Sequence, residues 1–428
     1  MTAILTDSFR VEAATSLFDY ISNPSNTVYM YLGKDSKWPN SGDVPVDPIN
    51  NIKSTATTHY DLIMCKRLLA GNTTLCTNRY NWEFGTVYDQ YDTSDQVLNG
   101  ENKRYYVITA DYNVYKCLNN NFGAASIKEP VGTSIEPFTL DDGYMWKYMF
   151  TIAKPVAEVF MNSQFMPVKN TALPTEAQWL VQATATPGAI ESYLVRNKGS
   201  GYTSASVEIL GDGEGAIGIP ILSGGQIVGV QVGAKGSGYT WARVNIIGNG
   251  VGASIDPQIG PPGGHGSNPV YELGANYVMA QMTFGQETYS NIPEVFSFRK
   301  LGLLSQPKYK DGTPLTDFVA SGCHKVYSVT AGFSVGDTVV LSNNTTAYVV
   351  EVNSDSGGSY LLLSEVDNNI EAGMTFYKQG DSGVTGFIDS LIMPDILRSS
   401  WRTLYTEHRS QITKNPNQLE YVRIVIEF

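Results

Sequence analysis

The sequence predicts a mainly β protein: a β-sandwich core with a few helices, carrying two small inserted β modules. Three observations predict it. From Tyr80 onward, short runs rich in Tyr, Val, Ile and Thr alternate with turn residues. A 37-residue repeat fills the middle of the chain with alternating apolar positions and regularly placed glycines. The last run, "LEYVRIVIEF", is strand-forming and is expected to be tied into a sheet.

Each element can be justified in order. A first helix is expected from Asp7 or Ser8, either of which can cap it. Phe9, Ala13, Leu17, Tyr20 and Ile21 then share one face, and Pro24 in "SNPSN" forbids continuation. "TVYMYLG" (27–33) is a short β-rich run. A second helix is expected in "TATTHYDLIMCKRLLAGN", with Leu62, Ile63, Leu68 and Leu69 apolar and Gly71 as the stop. "RYYVITADYNVYKCL" holds two short strands around the turn "ADYN", and "NNNFGAASIKEPVGTSIEP" reads as a loop.

"LDDGYMWKYMF" (140–150) is the densest signal. Asp-Asp-Gly is turn chemistry, because Asp bonds its own backbone and Gly supplies positive φ. In the strand that follows, Tyr144, Trp146, Tyr148 and Phe150 share one face, and Met145, Lys147 and Met149 the other. A catalytic pairing of Asp141 with Asp142 is disfavoured, since neighbours in extended chain diverge while an acid–base pair must converge on one atom. An aromatic face this dense reads as core or interface.

The repeat aligns 190–216 with 227–253 at fifteen identities in 27 positions, including "KGSGYT" twice. Its "GDGEGA" and "GNGVGA" segments fit the dinucleotide fingerprint in letters only. The fingerprint needs a helix N-terminus to hold a pyrophosphate, and here no helical period follows and Pro220 and Pro257 intervene. Tyr202, Tyr239 and Trp241 are the candidate module contacts, for glycan or protein; the competing reading packs each Tyr on its own turn. The organisation expected is a core in three stretches, 1–187, 263–323 and 389–428. The repeat module occupies 188–262, followed by the linker-like "GPPGGHGSNP" at 260–269. A small barrel or sandwich occupies 324–388.

Composition narrows the function. The chain has 428 residues, enough for two or three units, and 42% are hydrophobic. Charged residues are only 16%, against about a quarter in an ordinary soluble chain, so much of the surface is neutral and suits burial against partners. A net charge of −12 without Lys/Arg clusters argues against nucleic acid. No apolar run is long enough for a bilayer, and the start has acids where a signal peptide needs bases. The protein is therefore expected to be made and used in a cytosol, or released by lysis. Cys65, Cys76, Cys117 and Cys323 are scattered, as are the four histidines; no metal site is expected, and the thiols should be free and mostly buried. "NSDSGG" (353–358) lacks the twelfth-position Glu of a calcium loop and reads as a hairpin turn. No nucleophile signature, phosphate loop or cofactor motif emerges.

Several segments carry a resemblance. "LTDSFRVEAATSLFDYI" with "VYMYLGKDSKW", then "TNRYNW", "NVYKCLNNNFGAASIKEP", "DDGYMWKYMF" and "LYTEHRSQITKNPNQLEYVRIVIEF" are similar, in that order, to baseplate wedge subunits of contractile-tailed (T-even-like) phages, the eighth-gene-product type. In the fourth, Asp142, Gly143, Tyr144, Trp146, Tyr148 and Phe150 follow the family's string; in the last, Tyr405, Glu407, Arg409, Gln418, Glu420 and Phe428 fall where expected. The resemblance covers roughly 1–170, 290–305 and 400–428, and neither inserted module. It implies a non-enzymatic virion component of the tail baseplate, assembled in the host cytoplasm, pairing as a homodimer and binding other wedge proteins. Trp38, Arg79, Trp82, Tyr144, Trp146, Tyr148, Tyr405, Glu407 and Arg409 are then candidates for subunit interface or core. The rival expectation is a receptor- or glycan-binding tail protein that uses the repeat module.

Overall fold

A computed structural model describes residues 4–39, 42–94, 103–285, 291–328 and 332–428. The fold is mainly β, with several antiparallel sheets and five α-helices among the described residues. The chain divides into two compact units. One comprises Met1–Leu17, Thr74–Met279 and Ile426–Phe428; the other Phe18–Thr73 and Ala280–Val425.

The first unit is organised by a four-stranded antiparallel sheet in the order Tyr106–Ile108, Asn113–Asn120, Tyr144–Thr151, Phe138–Thr139. The first two strands form the hairpin expected around "ADYN", with Tyr112 at φ 62° in the turn. One face of the sheet packs a core of Tyr88, Val107, Tyr115, Cys117, Tyr144, Trp146, Tyr148 and Val181. Two short helices, Lys154–Phe160 and Ala177–Thr184, were not visible in the apolar pattern; the second contributes Val181 to that core.

The second unit contains a five-stranded sheet in the order Val319–Ser321, Leu62–Arg67, Val28–Gly33, Phe296–Ser305, Arg402–Lys414. Its central strand, Val28–Gly33, is buried at all six positions. The expected second helix is corrected here. The helix is Ile52–Asp61, capped by Asn51, whose side chain accepts from Ser54 N at 2.8 Å; Leu62–Arg67 is a strand. A short apolar run buried on both sides has no period of its own, so helix and strand read alike. Gly33 makes the helix-to-strand junction possible, because a Cβ there would lie 2.5 Å from the Asp61 carbonyl.

The first helix runs Asp7–Ser22, but its buried stripe is Val11, Ala14 and Ile21, and Phe9 is exposed. Thr6, not Asp7 or Ser8, caps it: Phe9 N donates to Thr6 Oγ1 at 3.3 Å. Apolar residues on several sides of this helix leave the choice of buried face to its neighbours.

Also in the second unit, seven strands between His324 and Ile392 form one antiparallel sheet around an apolar cluster that includes Val326, Leu341, Val349, Leu361 and Phe376. "NSDSGG" is a hairpin turn, with Asp355 paired to Gly358. The final strand, Glu420–Glu427, lies in one sheet beside Tyr277–Phe284. All four cysteines are buried, and none is in a disulfide.

Candidate functional site

The aromatic strand folds as its composition demands. Asp141 and Asp142 occupy a turn, and Gly143 follows at φ 80°. Asp142 is a structural anchor: its Oδ2 accepts from Ile127 N (2.9 Å) and Lys128 N (3.0 Å), and its Oδ1 from Tyr144 N (3.2 Å). Tyr144 stacks on Trp146 at 5.5 Å and donates to Ala124 O at 2.5 Å. Tyr148 meets Thr151 Oγ1 at 2.7 Å. Trp82 packs against the same core and donates from Nε1 to Ser126 Oγ at 3.1 Å. Arg79 is half-buried and ties Asn81 and the Asn162 carbonyl, both at 2.8 Å. In this unit Tyr144, Trp146 and Tyr148 are therefore core.

The other face of that strand holds charges in the interior. Lys147 is buried, and Lys116 on the neighbouring strand stands directly opposite it. Two like charges facing across a ladder repel, so each needs its own counterion. Lys116 Nζ donates to Glu272 Oε2 at 3.0 Å, meets His265 Nδ1 at 3.0 Å and lies 4.0 Å over the Tyr91 ring. Lys147 Nζ donates to the Ile135 carbonyl at 2.8 Å and pairs with Glu191 at 3.9 Å; Glu191 also pairs with Lys235 at 3.5 Å. Burial pushes both lysines below their ordinary range, and the carboxylates push back. Burial raises the Glu272 carboxyl, but Lys116 and His265 outweigh it and hold it at about 2. Burial, then the Lys116 charge, lowers His265, and Glu272 opposes the shift.

No sequence signal pointed to this network, because its members come from segments far apart in the chain. His265 even falls in the stretch read as a linker. That reading is corrected: His265 is 1% exposed, and its glycine neighbours serve close packing rather than flexibility. A Cβ at Gly264 would lie 2.5 Å from Thr186 O, and one at Gly266 2.4 Å from Val181 Cγ1.

The repeat module is two intertwined halves. The first has strands Ile190–Ser200, Ala205–Gly211 and Glu214–Ser223; the second Gln226–Ser237, Ala242–Gly248 and Val251–Ile259. The middle strands pair with each other, and Glu208 faces Asn245, its own repeat equivalent. The third strand of each half pairs with the first strand of the other: Glu214 faces Ser237, and Val251 faces Ser200. Both relations are what a two-fold axis between the halves requires.

The same symmetry explains the glycines. Tyr202 and Tyr239 are each 5% exposed. Each lies against the other half's glycine segment: a Cβ at Gly250 would lie 2.4 Å from the Tyr202 ring, and one at Gly213 2.5 Å from that of Tyr239; Tyr202 also packs on its own turn, where a Cβ at Gly199 would lie 2.8 Å from its ring. Asp212 and Asn249 do the same across the axis. Asp212 Oδ1 accepts from Thr240 N (2.9 Å) and Trp241 N (3.1 Å), and Asn249 Oδ1 from Thr203 N (3.0 Å) and Ser204 N (3.2 Å). Hydrogen bonds from Thr240 hold the Asp212 carboxyl down at about 2. Since Asn serves at the equivalent place, Asp212→Asn should unfold close to the wild-type temperature and Asp212→Ala clearly below it. Equal melting temperatures for the two variants would contradict the capping role.

The module's two outer ribbon faces differ. On one, the 91–94 segment engages Gln258, which is buried, and reaches Asp256 through Arg196: Arg196 bridges Asp256 and Asp92, both at 2.7 Å, and Thr93 N donates to Gln258 Oε1 at 2.9 Å, while Ser254 stays exposed. The equivalent positions on the other ribbon are Ile217, Ile219 and Ile221, at 56%, 49% and 49% exposed. Trp241, the third candidate contact, is exposed.

The remaining candidates gather in the second unit. Tyr405, Glu407 and Arg409 alternate along Arg402–Lys414 and so share a side. Arg409 bridges Glu407 at 2.5 Å, Tyr405 Oη donates to Glu407 Oε2 at 3.3 Å, and Trp38, buried, donates from Nε1 to the Arg409 carbonyl at 3.2 Å. Among the described residues no helix is long and apolar enough to cross a membrane, and no three His, Cys, Asp or Glu side chains are grouped to hold a metal.

Fold and site together define a class: a modular, mainly β protein whose aromatic and charged clusters serve packing, with an apolar stripe left outward on one module. Compared with known proteins, the chain matches no family model and no curated protein.

Proposed function

We propose that this chain is a structural wedge protein of a contractile phage tail baseplate, one that scaffolds neighbouring wedge subunits and pairs with itself through apolar and aromatic surfaces. It acts mechanically, without catalysis, in the virion tail. The ordered motifs from "LTDSFRVEAATSLFDYI" to "LEYVRIVIEF" support the family reading. The observation that carries the assembly role is the Ile217–Ile219–Ile221 stripe. Three half-exposed β-branched side chains on one ribbon face are what a subunit presents when that face is covered in its working assembly. The counterpart ribbon already engages the chain's own 91–94 segment through Gln258 and the Arg196 bridge, so this ribbon type is suited to docking.

The test is association. Purified chain, mixed with the other wedge proteins of its phage, should form complexes resolved by light scattering, and Ile219→Lys should weaken them by roughly tenfold or more, about 1.4 kcal/mol. A chain that stays monomeric and binds no wedge protein at micromolar concentration sinks the proposal. For the rival reading, receptor or glycan binding by the repeat module, only Trp241 of the three named contacts is open to a ligand.

A further inference from the structure

A second surface lies on the sheet between His324 and Ile392, and it goes beyond the baseplate reading. Strands Thr375–Lys378 and Asp381–Phe387 pair so that Thr375 faces Phe387 and Tyr377 faces Thr385. Between them, Phe376 points inward to the apolar cluster and covers Gly386, where a Cβ would come within 2.3 Å of its ring. The alternation therefore puts Thr375, Tyr377, Thr385 and Phe387 together on the outer side. Tyr377 is 40% and Phe387 48% exposed, two large rings on diagonal positions of neighbouring strands.

These rings flank a groove of ≈ 730 Å³, which Ser342 and Asp389 also line. The hydroxyls of Ser342, Thr375, Tyr377 and Thr385 and the carboxylate of Asp389 have no side-chain hydrogen bond among the described residues. The groove thus combines apolar ring faces with a set of uncommitted hydroxyl donors and acceptors. Among the described residues Asp389 is its one charged lining residue, so an anionic ligand finds no counterion among them. A flat, uncharged, hydroxyl-rich ligand with apolar C–H faces meets both features: rings take its faces, and the hydroxyls and carboxylate take its polar edge.

We infer that the 324–392 module binds a neutral hexopyranose unit of a glycan in this groove, with Tyr377 and Phe387 as the stacking platforms and Thr375, Thr385, Ser342 and Asp389 as hydrogen-bonding partners. The experiment is saturation-transfer NMR on the full chain with maltotriose, chitotriose and lactose. Transfer to at least one sugar is expected, reduced roughly tenfold or more in Tyr377→Ala and Phe387→Ala. Thr385→Lys, which fills the groove without touching the core, must abolish it as well. No transfer to any of the three sugars, or transfer unchanged in the variants, overturns the inference. Transfer to a decaproline peptide in place of the sugars overturns it too, assigning the groove to extended peptide. Subunit association, which tests the baseplate role, is read separately and is unaffected by either result.

Discussion

Lys116→Met should destabilise the full chain by about 3–5 kcal/mol in urea denaturation, because it leaves a fully buried carboxylate without its cation. Glu272 has side-chain exposure of 1% and Lys116 of 0%, so water cannot replace the lost partner. Glu272→Gln keeps an acceptor for Gly266 N, now 2.7 Å from Glu272 Oε1, and removes only the charge. The double variant Lys116→Met/Glu272→Gln should therefore recover at least about 1.5 kcal/mol relative to the sum of the single changes. Simple additivity would show that the two groups do not act as a pair. Acid should have the same effect as mutation. Glu272, held at about 2 against an ordinary value near 4.3, contributes stability that is complete above about pH 4.3 and is lost as pH falls toward 2. His265 lies below its usual range, and His324 is held at about 3, both chiefly by burial. For these bases the unfolded chain takes the proton first, so stability begins to fall once pH drops below about 6.5. Each can contribute up to about 1.4 kcal/mol per pH unit. Burial also raises Asp35 to about 7, which works the other way between pH 7 and pH 4, so the test is differential: from pH 4 to pH 2 the wild-type urea midpoint should fall more than that of Glu272→Gln, and equal falls would contradict the buried network.

The second large effect belongs to the repeat. Tyr202→Ala and Tyr239→Ala should each cost about 3–5 kcal/mol, the loss expected for emptying a buried aromatic site. Gly250→Ala and Gly213→Ala should each cost about 1–3 kcal/mol by forcing a methyl group into the facing ring. The informative result is their coupling. Tyr202→Ala should relieve part of the Gly250→Ala penalty and none of the Gly213→Ala penalty, while Tyr239→Ala should do the reverse, measured as double-mutant cycles in thermal unfolding. Coupling within a half instead, Tyr202 with Gly213, would refute the intertwined arrangement.

The resistance of parts of this fold to sequence reading has particular causes. The turn at Asp141–Gly143 and the strand after it were legible because both are local: Asp and Gly satisfy a turn within a few residues, and alternation places the aromatic rings. Burial of the opposite face, with Lys147 and Met149, was not legible, because a lysine on a strand ordinarily marks solvent and only Glu191 and Ile135 make its burial tolerable. Leu62–Arg67 misread as helix because a doubly buried strand carries no period. The glycines of 260–269 misread as a linker because glycine signals flexibility and close approach with the same letter.

The repeat marks the division most sharply. Two equivalent sets of strands, the places of their turns, and the continuation of "GDGEGA" and "GNGVGA" into strands rather than helices were legible in the sequence, since steric preference and alternation act over a few residues. The pairing of each third strand with the other half's first strand, the burial of Tyr202 and Tyr239 across the axis, and the outward setting of Ile217, Ile219 and Ile221 beside a counterpart ribbon that buries Gln258 are set by tertiary packing. The physical reason is that two near-identical halves offer the same hydrogen-bonding edges to themselves and to each other, so local pattern cannot choose between them; the choice is made by which arrangement buries both tyrosines against backbone that has no side chain in the way.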